Sequence, residues 1–237
     1  MRTSPIVLVP GFWLGAWAWD EVAGTLHAAG HQVTAVTLPG LQSTDDDRSA
    51  IRLADHIEAI CEVVAAAGAP AVLTVHSGTA VPGYAVTDRI PEQLAAMVYV
   101  DCFPMTGPID PDFTAVELPL RSWKELEEGG DSLQGLTPEQ LDTFRRLAVP
   151  EPGAALREGH HPTNDARLDV PTTVVCTSIA AERVKGLVTE GHPWIADLAA
   201  LRDVTYVDLP TSHWPMWSRP QELAAAIHTV ALGAGET

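Results

Sequence analysis

The fold that this sequence predicts is of the α/β class, with a doubly wound, mostly parallel sheet. Short and wholly apolar runs alternate with segments whose apolar residues recur at helical spacing. Strands of a parallel sheet are buried on both faces, so they show unbroken apolar runs, and helices connect them. The chain has 237 residues, of which 46% are hydrophobic, which suits one domain with one sizeable core.

Predicted strands and helices alternate through the first hundred residues. The strands cover 6–9, 31–38, 71–75 and 94–100, and the helices cover 20–29, 53–67 and 81–88. The first two strands end in Pro10-Gly11 and Pro39-Gly40. The first helix stops before Gly30, because glycine suits the turn that ends a helix.

The alternation stops after residue 102 and returns at about residue 169. Residues 103–168 are rich in proline, glycine and acidic residues, and their clearest helix covers 138–147. They hold too little apolar material for a core of their own. We therefore predict a core made of 1–102 and 169–237, with a cap inserted at 103–168. The remaining elements are strands at 172–176 and 204–209, a helix near 181–200 and a last helix from 221.

The charge balance restricts the partners. Thirty-one acidic residues against fourteen basic ones give a formal net charge of −17, which argues against nucleic acid and against acidic membrane surfaces. No apolar run reaches the roughly 18 residues that span a bilayer, and the N-terminal one is too short for a signal peptide. We expect a cytoplasmic protein with a small-molecule substrate. The cap or an outer helix leaves a homodimer contact open.

No motif for a metal or a cofactor is recognisable. The three cysteines, Cys61, Cys102 and Cys176, are widely spaced and form no CxxC pair, so we expect buried thiols. The chain has no glycine-rich phosphate loop followed by an acidic residue. We therefore expect chemistry that uses neither metal nor cofactor.

One serine lies where a predicted buried strand turns into a predicted helix. Ser77 follows the strand and precedes Gly78, as in a nucleophile elbow, where a strained turn exposes the serine hydroxyl above a helix N-terminus. Val75 and Thr79 hold the two positions at which the G-x-S-x-G pattern has glycine. From these residues alone, a serine that merely caps the helix remains an alternative.

Two segments together resemble the α/β-hydrolase superfamily, in its branch of esterases and hydroxynitrile lyases. His76-Ser77 matches the GHSxG elbow, and residues 8–19, LVPGFWLGAWAW, are similar to the HGxxxGAWxW segment of that branch, with Pro10 where histidine is commoner. The resemblance runs from residue 5 to about 230 and is weakest in the cap. It implies an oxyanion hole made by the backbone N–H groups of Phe12 and Gly78.

The same resemblance locates the general base and the acid. It implies a base on the loop after the last strand, where His213 lies. Ala180 holds the usual position of the acid, and Glu182 is two residues too far along. Asp101 ends the strand that follows the serine strand, and some members, including zearalenone lactone hydrolases, carry their acid there. An aspartate that caps the next loop is the alternative for Asp101.

A serine, a histidine, an acid and an oxyanion hole predict acyl transfer through an acyl-enzyme, on an ester or a lactone. Hydroxynitrile lyases of this branch have a lysine after the histidine and a threonine near the first strand, where this chain has Trp214 and Gly11. A C–C bond hydrolase would use the same triad. The departures at Val75, Thr79 and Ala180 also leave open a ligand-binding member with little or no activity.

Tryptophans near the predicted site point to an apolar substrate. We expect four of them to line the substrate pocket, namely Trp13, Trp123, Trp214 and Trp217. The same indole rings would serve equally well as core, so this expectation depends on where each ring points.

Overall fold

The computed structural model describes residues 3–235, so residues 1, 2, 236 and 237 of the predicted core segments lie outside the described residues. Six strands form one sheet in the order β2-β1-β3-β4-β7-β8, and every neighbouring pair in it is parallel. These strands are β1 Ile6–Val9, β2 Val33–Ala35, β3 Ala71–His76, β4 Leu94–Val100, β7 Thr172–Cys176 and β8 Val204–Asp208. A separate antiparallel pair joins β5 Glu117–Leu118 to β6 Glu151–Pro152.

Helices cover both faces of the parallel sheet. They are α1 Asp20–Ala28, α2 Leu53–Ala66, α3 Ala80–Arg89, α4 Trp123–Glu128, α5 Pro138–Leu147, α6 Ala154–Arg157, α7 Ala181–Glu190, α8 Ala196–Ala200, α9 Pro215–Ser218 and α10 Pro220–Gly233. Successive strand residues face opposite sides, so Ile6 and Leu8 pack with α1 and α10, whereas Val7 and Val9 pack with α2 and α3. The predicted doubly wound α/β fold is confirmed.

Two predicted elements differ from the observed ones by more than one residue at an end. The strand predicted at 31–38 covers only Val33–Ala35, since β2 is an edge strand that pairs with β1 alone. The helix predicted near 181–200 is divided into α7 and α8. Gly191 adopts a left-handed conformation with φ +66°, and Pro193 follows it. Such a glycine ends a helix, and proline supplies no N–H to continue one.

Residues 103–168, which we call the cap segment, leave the sheet after β4 and return to it at β7. They contain β5, β6 and the helices α4, α5 and α6. Leu126 and Phe144 are fully buried in the same apolar cluster as Trp214 and Met216 of the main domain. The cap segment therefore shares the apolar core of the main domain. Within residues 3–235, no helix combines the length and hydropathy needed to cross a membrane.

Candidate active site

The turn after β3 holds Ser77 in a strained conformation. Its φ is +53°, a region that non-glycine residues rarely adopt and that is maintained only by the surrounding structure. Ser77 opens a 3₁₀ turn, Ser77–Thr79, that leads directly into α3. The serine therefore lies between the carboxyl end of a buried central strand and the N-terminus of a helix, which is the geometry of a nucleophile elbow.

The two missing glycines of the elbow are compensated elsewhere. Gly83 of α3 lies against Val75, and a Cβ on Gly83 would come within 2.6 Å of the Val75 side chain. The close approach of strand and helix is therefore made possible by a glycine on the helix. Thr79 closes the turn, because its hydroxyl donates to the carbonyl of His76 at 2.8 Å and accepts from the His76 N–H at 3.3 Å.

The structure brings Ser77, His213 and Asp101 into one chain of hydrogen bonds. The Ser77 hydroxyl lies 2.7 Å from Nε2 of His213, and Nδ1 of His213 lies 2.6 Å from Oδ2 of Asp101. An ionised carboxylate accepts hydrogen bonds only, so Nδ1 donates and Nε2 is left to accept the hydrogen bond of the Ser77 hydroxyl. A second carboxylate, that of Asp131 in the cap segment, lies 3.6 Å from Nε2.

Asp101 is held as a carboxylate at the end of β4. Its Oδ1 accepts from the N–H groups of Thr177 at 3.2 Å and Ser178 at 2.8 Å, and its Oδ2 accepts from the Ser178 hydroxyl at 2.5 Å. Burial opposes ionisation, but the hydrogen bond and charge of His213 and the bonds from Ser178 hold the pKa of Asp101 well below its usual range. The loop after β7 thus supplies donors to the acid, whereas Glu182 lies in the first turn of α7.

His213 is fixed through its backbone on two sides. Its N–H donates to the carbonyl of Ser132 in the cap segment at 2.8 Å, and Nε2 of His76 donates to its carbonyl at 2.7 Å. Burial, followed by the neighbouring His213, lowers the pKa of His76 to about 3, so His76 is a neutral donor. Apart from the position of His76 next to Ser77, no sequence pattern predicts this support.

The loop after β1 meets the elbow where an oxyanion hole would form. A Cβ on Gly11 would lie 2.9 Å from the Cβ of Ser77, and a Cβ on Gly78 would lie 2.4 Å from the ring of Phe12. Only glycine permits these approaches. The backbone amides of Phe12 and Gly78 therefore belong to two segments in direct contact beside Ser77.

A cavity of about 1020 Å³ opens above Ser77. Trp13 and Trp214 line it, as predicted, together with other mostly apolar side chains. Ile109 and Trp194 also line it, although they are 38% and 48% exposed, and Trp194 meets the ring of Phe103 edge to face with centroids 5.3 Å apart. The lining is therefore mostly apolar and has an aromatic rim, with the charged side chains of Asp110, Arg121 and Asp131 among it.

The other two predicted pocket tryptophans lie elsewhere, which corrects the expectation for them. Trp123 packs on Phe144, with ring centroids 5.5 Å apart. Trp217 stacks on Trp17 at 5.6 Å and donates its indole N–H to the carbonyl of Ala18 at 3.1 Å. Both rings pack against the buried ring of Phe144 and so belong to the apolar core that the cap segment shares with the main domain.

The remaining reactive groups do not extend the site. Cys102 lines the cavity, but burial, followed by the charge of Asp101, raises the pKa of its thiol far above the usual value, so it stays a thiol. Cys61 and Cys176 are buried as well. Across the described residues 3–235, no group of three or more His, Cys, Asp and Glu side chains could hold a metal ion.

Comparison with known proteins places the chain among hydrolases. The model of the alpha/beta hydrolase family matches residues 6–226. Methylesterase 1 of Arabidopsis thaliana is 23% identical over 94% of this chain and 94% of its own length. Methylesterase 7 of the same plant is 35% identical over 41% of this chain, a match that spans 39% of that protein. A carbendazim hydrolyzing esterase of Nocardioides sp. (strain SG-4G) is 29% identical over 57% of this chain and 48% of its own length.

Solved structures agree in fold. A pyrethroid hydrolase from Sphingobium faniae JZ-2 superposes with a TM-score of 0.72 at 18% identity, with 100% of both chains covered. A mutant of polyneuridine aldehyde esterase gives 0.72 at 18% identity, with 97% of this chain and 100% of that one covered. Because the family model spans nearly the whole sequence, the chain is an enzyme of the alpha/beta hydrolase family.

Proposed function

We propose that this enzyme hydrolyses carboxylic esters or lactones of small, largely apolar compounds through an acyl-enzyme on Ser77. The observation that carries the proposal is the unbroken chain of hydrogen bonds from Ser77 through His213 to Asp101, with distances of 2.7 and 2.6 Å, at the floor of an apolar cavity. A serine becomes an effective nucleophile when a base accepts its proton and a third group orients that base.

In the acylation step, Oγ of Ser77 attacks the carbonyl carbon and its proton passes to Nε2 of His213. The carbonyl oxygen becomes an oxyanion that accepts hydrogen bonds from the backbone N–H groups of Phe12 and Gly78. The bond to the leaving oxygen then breaks, and His213 returns the proton to that oxygen. An ester releases an alcohol, whereas a lactone keeps its new hydroxyl on the acyl group.

In the deacylation step, water takes the place of the leaving group. His213 accepts a proton from the water, whose oxygen attacks the acyl carbon, and Ser77 leaves with that proton when the second tetrahedral intermediate collapses. Asp101 stabilises the imidazolium that forms in both steps. Its lowered pKa supports this role, since the acid must remain ionised while His213 carries the extra proton.

The cavity supports the substrate class. Its lining is dominated by apolar and aromatic side chains, and the Phe103–Trp194 pair offers ring edges and faces at the rim, where an aromatic group would pack favourably. The names of the relatives, methylesterases and a carbendazim hydrolyzing esterase, support ester cleavage over C–C bond cleavage.

The alternative, a ligand-binding member with little or no activity, depended on the departures at Val75, Thr79 and Ala180, and other residues compensate for each of them. Gly83 compensates for Val75, hydrogen bonds of Thr79 close the elbow, and Asp101 serves where Ala180 lacks an acid. A binding protein would gain nothing from the strained Ser77 held 2.7 Å from His213.

The test is hydrolysis of p-nitrophenyl acetate and butyrate by the wild type and three variants. We expect Ser77→Ala to abolish the activity and Asp101→Asn to lower kcat by about 10⁴, as loss of the orienting aspartate does in serine hydrolases. Glu182→Gln is the control and should retain wild-type activity, because Glu182 lies outside the hydrogen-bond chain. An inert wild type, or a fully active Ser77→Ala, would overturn the proposal.

A further inference from the structure

Trp13, the residue after Phe12, forms hydrogen bonds to the cap segment with all of its polar groups. The Trp13 N–H donates to Oε2 of Glu151 at 3.2 Å, the Trp13 carbonyl accepts from the N–H of Val149 at 3.0 Å, and the indole N–H donates to the carbonyl of Leu118 at 2.9 Å. Trp13 has φ +67°, a conformation that a non-glycine residue keeps only when its surroundings hold it. The cap segment supplies those surroundings.

Glu151 is the one of these three cap residues that acts through its side chain. It is 1% exposed, and within residues 3–235 its second oxygen, Oε1, is buried and has no hydrogen-bond partner. Arg48, whose charge acts on Glu151, pairs with Glu117 at 3.1 Å. Burial raises the pKa of Glu151 to about 8, although the Trp13 amide and then Arg48 oppose the shift. At neutral pH the protonated form is therefore favoured, and Oε2 accepts the hydrogen bond from the Trp13 amide.

We propose that Glu151 is a positioning residue that fixes the Phe12–Trp13 peptide and thereby aims the Phe12 amide at the oxyanion. The inference rests on the proposed function, in which that amide is an oxyanion donor. The Trp13 amide belongs to the peptide plane that follows Phe12. When this plane is held, rotation about the ψ angle of Phe12 is restricted. The cap thus takes part in catalysis through the oxyanion loop as well as by covering the cavity.

A change at Glu151 should lower kcat more than it raises KM. The oxyanion forms only after attack, so a donor that is poorly aimed weakens the transition state and leaves binding of the intact ester nearly unchanged. Removal of one oxyanion donor costs about 10²–10³ in kcat. A donor that is displaced and not removed should cost about 10- to 100-fold.

The experiment compares Glu151→Leu, Glu151→Asp and Glu151→Gln with the wild type on p-nitrophenyl butyrate. Leu removes the acceptor and Asp withdraws it by one methylene, so both should lose about 10- to 100-fold in kcat with KM within about threefold. Gln keeps a neutral carbonyl at the same reach and should stay within about threefold of the wild type. Asp and Gln also keep the proposal testable if Leu fails to fold.

One further measurement, with a control variant, distinguishes a positioning role from a purely structural one. A trifluoromethyl ketone forms a tetrahedral adduct on serine, so its affinity should fall in Glu151→Asp by the same factor as kcat/KM. Glu128→Gln is the matched control: Glu128 also lies in the cap segment, is 64% exposed and pairs with Lys124 at 3.5 Å, so it should leave both values unchanged.

Three outcomes would overturn the inference. The first is a Glu151→Asp enzyme with wild-type kcat while Ser77→Ala is inactive, which would leave the proposed function standing. The second is a Glu151→Gln enzyme as impaired as Glu151→Asp. The third is a wild type that hydrolyses no ester, which would overturn the proposed function and this inference together.

Discussion

Replacing Glu151 with glutamine should change how stability depends on pH. The carboxyl group of Glu151 has a pKa of about 8 in the folded chain, against an ordinary value of 4.5, because it is buried. The folded state therefore binds this proton more tightly than the unfolded state does. The contribution of this group to the free energy of unfolding is therefore fully present below pH 4.5 and is lost as the pH rises towards 8. Glutamine does not titrate, so Glu151→Gln lacks this loss.

The size of the effect follows from the two pKa values. Each pH unit between them costs about 1.4 kcal/mol of unfolding free energy. The slope is smaller close to each pKa, so between pH 5 and pH 8 the wild type should lose about 3.5 kcal/mol relative to Glu151→Gln. That is a large share of the 5–15 kcal/mol that stabilises a typical domain.

The assay is urea unfolding at pH 5, 6, 7 and 8 at one ionic strength, followed by tryptophan fluorescence and by circular dichroism. The unfolding free energy of Glu151→Gln minus that of the wild type should rise steadily across this range. Parallel curves for the wild type and Glu151→Gln would contradict this prediction, because Glu151 would then be ionised in both the folded and the unfolded state.

Three other predictions concern the site. Gly78→Ala should destabilise the fold by about 1–3 kcal/mol and lower kcat, since its Cβ would lie 2.4 Å from the Phe12 ring; an unchanged thermal midpoint would contradict this. Ser178→Ala should lower kcat about tenfold by removing a charge-assisted bond to Asp101, and no change in kcat would show that bond to be dispensable. Trp194→Ala should raise KM about fivefold for phenyl esters and little for ethyl esters, whereas equal effects on both would exclude ring contact.

The sequence was informative wherever a signal is local. Strand ends are visible as breaks in apolar runs, so the positions of Ser77, Asp101 and His213 could each be found from a few neighbouring residues. Their convergence follows from topology, because the carboxyl ends of parallel strands meet at one edge of the sheet. The fold class followed from the same alternation.

Features that join distant residues could not be found in this way. The fit of Gly83 to Val75 depends on the approach of a helix to a strand, and the donors of Ser178 to Asp101 come from a segment 77 residues away. The directions of Trp123 and Trp217 depend on the position of the cap segment. An indole ring that leaves the site and one that enters it look the same in a sequence.

The central claim is that Ser77 is an activated nucleophile, and covalent labelling tests it most directly. The wild type and Ser77→Ala would be treated with a fluorophosphonate and examined by intact-mass and peptide mass spectrometry. We expect a single adduct in the wild type, located on Ser77, and none in Ser77→Ala. An unlabelled wild type, or an adduct on another residue that persists in Ser77→Ala, would contradict it.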